Sequence, residues 1–411
     1  MSEAEHNRIL MLLENNVYPF DSRVRQEAQA LVSAGFGVTV ISPGRSGLPF
    51  HENLAGVSVY RFPSLYWSGG TVAYLWEYSY SLFMLAVLSA WVWFREGFSV
   101  IHAHNPPDIL CLVGLMFRVT GKKFVFDHHD LSPEIWEVRS RSKNGLMYRV
   151  LQFFERLSCQ IADRVITTNE SYRRLDNERN GVPLDRIVTV RNGPDPRRVR
   201  PIPAKPELVA EGRPIVGYVG TIGPQDGLDY LLRAAHIVRN VHERPDVLFL
   251  IVGDGDSLPG LKSLCTELGL DGQVQFTGRL HDDNLISHLC AATICVDPDP
   301  ANALNVHSTM IKIPEYMALG KPIVAFDLHE HHESAAGAAL YVEPNDEAKF
   351  AAAICELLED PGKRARMGAI GMQRVRESLA WSYSAENLVS MYRDLLEPAR
   401  QAASAAVARQ S

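Results

Sequence analysis

The sequence predicts an α/β protein made of two doubly wound, Rossmann-like domains facing each other across a cleft. Three observations predict it. Short apolar, β-branched runs recur along the 411-residue chain at intervals that leave room for a helix. The runs are continuously apolar rather than alternating, as strands are when both faces of a parallel sheet are covered by helices. The series is interrupted once, between Asn192 and Pro214, by NGPDPRRVRPIPAKPELVAEGRP, which is rich in proline and charge.

The first series runs ILMLL from Ile9, VTVI from Val38, VSVYRF from Val57, VIHAH from Val100, FVFDH from Phe124, VITTN from Val165 and IVTVRN from Ile187. After the first strand, Val24, Ala28, Leu31 and Val32 fall on one helical stripe that Gly35 is placed to end. The second series runs IVGYVG from Ile215, VLFLIVG from Val247, VQFTG from Val274, ICVDP from Ile294, IVAFD from Ile323 and ALYV from Ala339. The expected divisions are a first domain over 1–195, a linker over 196–213, a second domain over 214–380, a last helix over 381–400 and a frayed or disordered tail over 401–411. Ligands of open α/β sheets bind outside the carboxyl ends of the strands, so the active site is expected between the halves.

Composition narrows the function. Hydrophobic residues make up 46% and charged residues 22%, the balance of a folded soluble protein, and the net charge of -7 gives no basic footprint for nucleic acid. Six cysteines without a CxxC pair read as buried thiols of a reducing compartment, with no disulfides expected. The start, MSEAEHNRILMLLENN, lacks a basic region and a cleavage site, so it reads as a first strand and not a secretory signal, and a cytoplasmic location is expected. TVAYLWEYSYSLFMLAVLSAWVWF, Thr71 to Phe94, carries one charge, at Glu77, and is long enough to span a bilayer. A buried helix of a large α/β domain is the preferred reading, since a strand follows at once, and an interfacial helix facing lipid is the other.

Several motifs bear chemistry. YVGTIGPQDGLDYLLRAA is a strand, a turn with Gly220, Gly223 and Gly227, then a helix whose Leu228, Leu231, Leu232 and Ala235 should face the sheet; IVGDGDSLPGL repeats the arrangement with Gly253 and Gly255. Such turns let backbone N–H groups approach phosphate, though they also serve packing alone. VIHAHNPPD and FVFDHHDLSPE set His102, His104, His128, His129 and Asp130 at strand ends. A metal site there is disfavoured, because strand residues alternate between faces and hydrolases of that type need a closed barrel, so one histidine at the cleft is the better reading. HEHHE from His329 reads as a solvated loop. HSTMIKIPEYMALGKPIV sets Lys312 three residues ahead of Glu315 in an apolar helix, the spacing of a surface ion pair.

Taken in order, DSRVRQEAQALVSAGFGVTVIS, VIHAHNPPD, FVFDHHDLSPE, ADRVITTNE, VRNGPD, VGTIGPQDGLDYLLRAA, LIVGDGD, VQFTGRL, ICVDP and IPEYMALGKPIVAFD resemble the retaining glycosyltransferases of family 4, glycosyl transferases group 1, over nearly the whole chain to about Leu396. The resemblance implies the GT-B fold, a nucleotide-sugar donor on the C-terminal domain and an acceptor on the N-terminal domain. It also implies retention of anomeric configuration, with no metal or other cofactor, and a final helix crossing back to the first domain. Glu315 matches the second glutamate of the family's Glu, seven residues, Glu motif, which binds the donor ribose. His129 matches the histidine that contacts the transferred sugar, and Gly278, Arg279 and Leu280 match the loop flanking the base. The expected acceptor is a saccharide or lipid-linked saccharide of polysaccharide biosynthesis, with peripheral contact at the inner face of a membrane.

This chain departs from the pattern. The first glutamate of the motif falls on His307, and the family's diphosphate-binding Arg and Lys fall on Thr221 and on Asp226, which reads instead as a helix N-cap. Something else must neutralise the leaving diphosphate. Lys312 is the leading expectation, together with backbone N–H groups and the hydroxyls of Ser308 and Thr309 at the same helix start. Arg23, in the loop after the first strand, is expected to reach in on domain closure. On that reading Lys312→Ala lowers turnover far more than stability. The expected mechanism is same-face displacement through an oxocarbenium-like transition state, with the departing phosphate oxygen taking the acceptor proton. Two other classes remain: a nucleotide-sugar isomerase of the same architecture and a nucleotide-sugar-binding protein without catalysis.

Overall fold

The computed structural model describes residues 7–64, 70–140 and 145–408, excluding the side chains of 70–75, 282 and 397–408. The chain divides into two compact units: Met1–Trp136, Ser142–Arg191 and Ser384–Ser411 form the first, Glu137–Arg141 and Asn192–Tyr383 the second.

Each unit is a helix-covered sheet, and the apolar runs of the sequence are its strands. In the first, β1 (Arg8–Leu12), β2 (Gly37–Pro43), β3 (His51–Leu54), β4 (Val57–Phe62), β5 (Val100–His104), β6 (Lys123–His128), β7 (Arg164–Thr167) and β8 (Ile187–Thr189) lie in the order β3-β4-β2-β1-β5-β6-β7-β8. All neighbours are parallel except β3 and β4. In the second, β9 (Ile215–Val219), β10 (Leu248–Val252), β11 (Val274–Gly278), β12 (Ile294–Asp297), β13 (Ile323–Phe326) and β14 (Ala339–Val342) form a fully parallel sheet, β11-β10-β9-β12-β13-β14. Strand order reverses at β1 in one sheet and at β9 in the other, and ligands of such sheets bind at the loops that leave the strands on either side of the reversal, here β1, β5, β9 and β12.

The helix Ser22–Ser33 shows how local chemistry sets an element. Asp21 accepts from the Val24 N–H at 3.0 Å and caps its start, Val24, Ala28 and Leu31 are buried, and Gly35 at φ +90° leads the chain out. In the second unit Leu228, Leu231, Leu232 and Ala235 are buried on the core, on the helix Leu228–Asn240. The helix Trp381–Ala408 carries Leu388, Met391 and Tyr392 into the first unit, where the Tyr392 hydroxyl lies 2.9 Å from His102 Nδ1. All six cysteines are free.

Four sequence expectations change. The segment 196–213 is not a bare linker: Val199 and Leu208 are buried in the second unit's core, and Pro206–Ala210 is a short helix. HEHHE is not a solvated loop but the helix His329–Ala335, with Glu330 and His331 buried. The Asp226 side chain does not cap a helix. It accepts from the Gly223 N–H at 2.8 Å, while the cap position falls on Gly227, whose left-handed φ of +64° and 2.0 Å clearance from Pro298 O exclude a Cβ. The helix Gly70–Arg95 buries Leu85, Leu88 and Val92 but exposes Trp76, Phe83, Trp91 and Phe94. The buried reading thus describes one of its faces, and the other is apolar and exposed.

A buried ionic network fastens β6 to the helices behind it. His128 Nδ1 donates to Asp176 Oδ1 at 2.8 Å, and its Nε2 lies 3.8 Å from Glu155, which also receives Arg179 and Asn180. Burial alone would lower the His128 pKa, but Asp176 and Glu155 push it up to about 10. A folded value above the unfolded one, near 6.5, means stabilisation that is full below pH 6.5 and lost as pH rises through about 10. The stability gap between wild type and His128→Gln, measured by urea unfolding, should therefore narrow steadily from pH 7 to pH 10.

Candidate active site

In the first unit the chain's polar groups converge on Asp127, at the carboxyl end of β6. Arg23 Nε and Nη2 donate to its two oxygens at 2.7 Å each, and its Oδ2 is 2.8 Å from His104 Nδ1 and 3.1 Å from His129 Nδ1. With Nδ1–H donated to Asp127, Nε2 is left as the other hydrogen-bonding atom of His129. Burial pulls the His129 pKa down, but the Asp127 charge outweighs it, so the ring sits above its ordinary value. Against its own burial, Asp127 is held well below the usual carboxylate range, chiefly by Arg23. Asn105 fixes the backbone here: its Oδ1 accepts from the His129 and Asp130 N–H groups, and its Nδ2 donates to Asp130 O.

Arg23 is not the mobile side chain expected. It lies in the first turn of a helix, 5% exposed, bound to Asp127 and to Val190 O at 3.0 Å, and 3.2 Å from Glu27. Its charge is used within the unit. His102 and His104, two apart on β5, share a strand face instead of pointing to opposite ones, and their rings stack at 4.1 Å. Glu27, His102, His104 and Asp127 do gather donor atoms within 4.8 Å of one another, but the Arg23 guanidinium already supplies that cluster with positive charge.

In the second unit Lys312 and Glu315 share the helix Lys312–Ala318 without pairing. Lys312 Nζ donates to Asp297 Oδ1 at 3.0 Å and to both Asp299 oxygens at 2.9 and 2.8 Å, and lies 4.9 Å from the centre of the Tyr218 ring. Burial and the Asp297 charge push Asp299 well up, while Lys312, against burial, holds Asp297 down. The ammonium is therefore fully compensated, and the expectation that it serves the diphosphate is corrected. Glu315, 8% exposed, pairs with Arg198 instead. Burial raises the Glu315 pKa and Arg198 opposes the rise.

The expected donors around this helix are also committed. The helix begins only at Lys312, so Ser308 and Thr309 precede it; the Ser308 hydroxyl donates to Leu304 O and the Thr309 hydroxyl to Glu330. His307 is half-buried in the same turn. In the glycine turns, the N–H groups of Gly220, Gly223 and Gly253 go to Val252 O, Asp226 and Gly278 O. A Cβ on Gly253 would stand 1.9 Å from Gly220 O, and one on Gly255 2.5 Å from Ile222 O. Close packing of the loops after β9, β10 and β11 thus requires these glycines by itself. Thr221 and Arg279 are exposed, whereas Leu280 packs on the core. Asp127, Asn105, Arg198, Asp297 and Asp299 were not singled out from the sequence, although a lone lysine in a buried helix already demands an acidic partner.

Residues 21–193 match the family described as glycosyl transferase 4-like domain, and residues 213–360 match glycosyl transferases group 1. Over 201 residues the chain is 32% identical to a GDP-mannose-dependent monoacylated alpha-(1-6)-phosphatidylinositol monomannoside mannosyltransferase of Corynebacterium glutamicum. That match covers 46% of this chain and 52% of the relative, so the chain spans about half of that protein's length. Sucrose-phosphate synthase from Thermosynechococcus elongatus has a similar structure, with a TM-score of 0.79 at 20% identity over 95% of this chain and 100% of that one. The Anabaena protein HepE in complex with UDP-glucose gives 0.70 at 16% identity over 94% and 99%. These likenesses establish the GT-B fold, and with both of its halves matched in order the chain belongs to family 4, group 1, of the glycosyl transferases.

Proposed function

We propose that this glycosyltransferase moves a sugar, with retention of anomeric configuration, from a nucleoside-diphosphate sugar to a saccharide or lipid-linked acceptor of polysaccharide biosynthesis, at the cytoplasmic face of a membrane. The observation that carries the reading is Glu315, a buried carboxylate that falls within the group 1 match and whose charge is met by one partly exposed arginine. A carboxylate accepts two vicinal hydroxyls, which suits a ribose. Support for the donor class comes from the relatives, one named for GDP-mannose and one bound to UDP-glucose. His129, oriented by Asp127, presents Nε2 to the transferred sugar. Gly220, Thr221, Gly223, Gly253, Gly255 and the turn Gly278 to Leu280 border the nucleotide. His307, Ser308 and Thr309 lie beside it, and Asp130 borders the acceptor.

Bond making and breaking follow the same-face route. The anomeric carbon parts from the diphosphate oxygen, that oxygen takes the proton of the acceptor hydroxyl, and the acceptor oxygen bonds to the carbon from the side just vacated. With Lys312 compensated, the cation for the diphosphate is Arg198, whose fork suits phosphate oxygens.

Five measurements test this. In a thermal-shift panel of nucleoside diphosphates and their sugars, one base should raise the melting temperature equally with and without chelator, and NMR of the product should show the donor's anomeric configuration. An inverted product ends the retaining route, and sugar epimerised without acceptor ends the transferase reading. Arg198→Lys, which leaves a cation beside buried Glu315 but not the fork, should keep its melting temperature within a few degrees and lose about 10-fold or more in kcat/KM. Lys312→Met should instead destabilise by about 3–5 kcal/mol, because it strands buried Asp297, the reverse of the expectation from sequence. His129→Ala should lower kcat by about 100-fold with its fold intact.

A further inference from the structure

The helices Gly70–Arg95, Cys111–Arg118 and Leu146–Ile161 lie side by side over one face of the first sheet. Each leaves an apolar stripe in water. On the first, Trp76, Phe83, Val87, Trp91 and Phe94 recur at the helical repeat, on the side opposite Leu85, Leu88 and Val92, which pack on the core. The second exposes Leu115 and Met116, with Val119 just beyond it, and the third exposes Leu146, Val150 and Phe153. More than half of the exposed large apolar side chains among the described residues lie on this layer. A helix apolar on two opposite faces has a second partner to meet, because a soluble surface does not keep so much apolar area together.

Charge identifies the partner. In a chain of net charge -7, this layer carries Arg95, Arg118, Lys122, Arg149 and Arg156. Its acids are few: Glu155 is buried with Arg179, Glu96 is held by Arg8, Thr39 and Tyr60, and Glu77 is half-buried near Glu14. Arg95 lies 6.0 Å from the centre of the Trp91 ring and Lys122 5.9 Å from that of Trp93. Basic groups interleaved with exposed Trp and Phe suit the boundary between anionic headgroups and acyl chains. No helix among the described residues is long and apolar enough to cross a membrane, so the contact is with the surface.

We infer that this three-helix layer docks the protein on an anionic lipid surface, with the apolar stripe of Gly70–Arg95 inserted at headgroup depth. The inference deepens the reading of an acceptor presented at a membrane, and it is tested without any sugar. The full chain is floated with phosphatidylcholine vesicles with and without phosphatidylglycerol. Binding should require the anionic lipid and weaken with salt. Phe83→Ser, Trp91→Ser and Phe94→Ser together should reduce the bound fraction about 10-fold or more while leaving nucleotide-induced thermal shifts unchanged. Arg149→Glu with Arg156→Glu should remove the dependence on phosphatidylglycerol. A chain that ignores both vesicle types overturns the inference, as does a dimer seen by analytical ultracentrifugation that the apolar substitutions dissociate. Vesicle binding by a chain that transfers no sugar would sink the proposed function and leave this surface standing.

Discussion

A charge removed from water has to be met by its opposite, and at the carboxyl end of each sheet that requirement fixes the side chains in place. Asp127 offers roughly the capacity of four acceptor positions. Arg23 takes one on each oxygen, and His104 and His129 both lie against Oδ2. Because β5, β6 and the helix after β1 each contribute a member, the topology at the point where strand order reverses assembles the cluster. His129 therefore does not choose its orientation: its Nδ1 is spent on Asp127, and only Nε2 is left to meet a ligand. The same requirement in the second unit places Lys312 between Asp297 and Asp299 and gives Glu315 to Arg198.

The same physics set how far the sequence could be read. Strands buried on both faces carry their own signature, and the runs from Ile9 to Ile187 and from Ile215 to Ala339 are the strands of the two sheets, with ends displaced by at most three residues. Elements with weak hydrophobic signal were lost. β3 is an exposed edge strand of only His51–Leu54, and His329–Ala335 is a helix whose buried members are themselves polar, so hydrophobic periodicity cannot reveal either. The segment 196–213 packs through few apolar side chains, Val199, Ile202 and Leu208, and few contacts over eighteen residues look like a linker.

At the site the residue types were legible and their partnerships were not. Arg23 and Asp127 are 104 positions apart, and Glu315 and Arg198 117 apart. Nothing local in the chain shows that an arginine after the first strand is buried, since arginines usually are not. Lys312 misled for a related reason. Its place in an apolar helix signalled an unusual role, but the two aspartates that end the ICVDPDP run answer it structurally.

The replacement at Asp226 then acquires a cause. A cation at position 226 would set positive charge beside Lys312, whereas here burial pushes the Asp226 carboxyl up and Lys312 pulls against that rise. Asp226 suits a lysine already present in the core, so under the proposed function diphosphate charge has to be met from outside that cluster. Arg198 is suited to the task because its present partner is the carboxylate that a ribose would claim. Under the proposed function, ribose hydroxyls would replace the guanidinium on Glu315 and free its fork for phosphate oxygens, exchanging one charge-assisted pairing for another. On that proposal the buried carboxylate would keep a partner with or without donor, and the arginine would be released only when a nucleotide arrived to receive it.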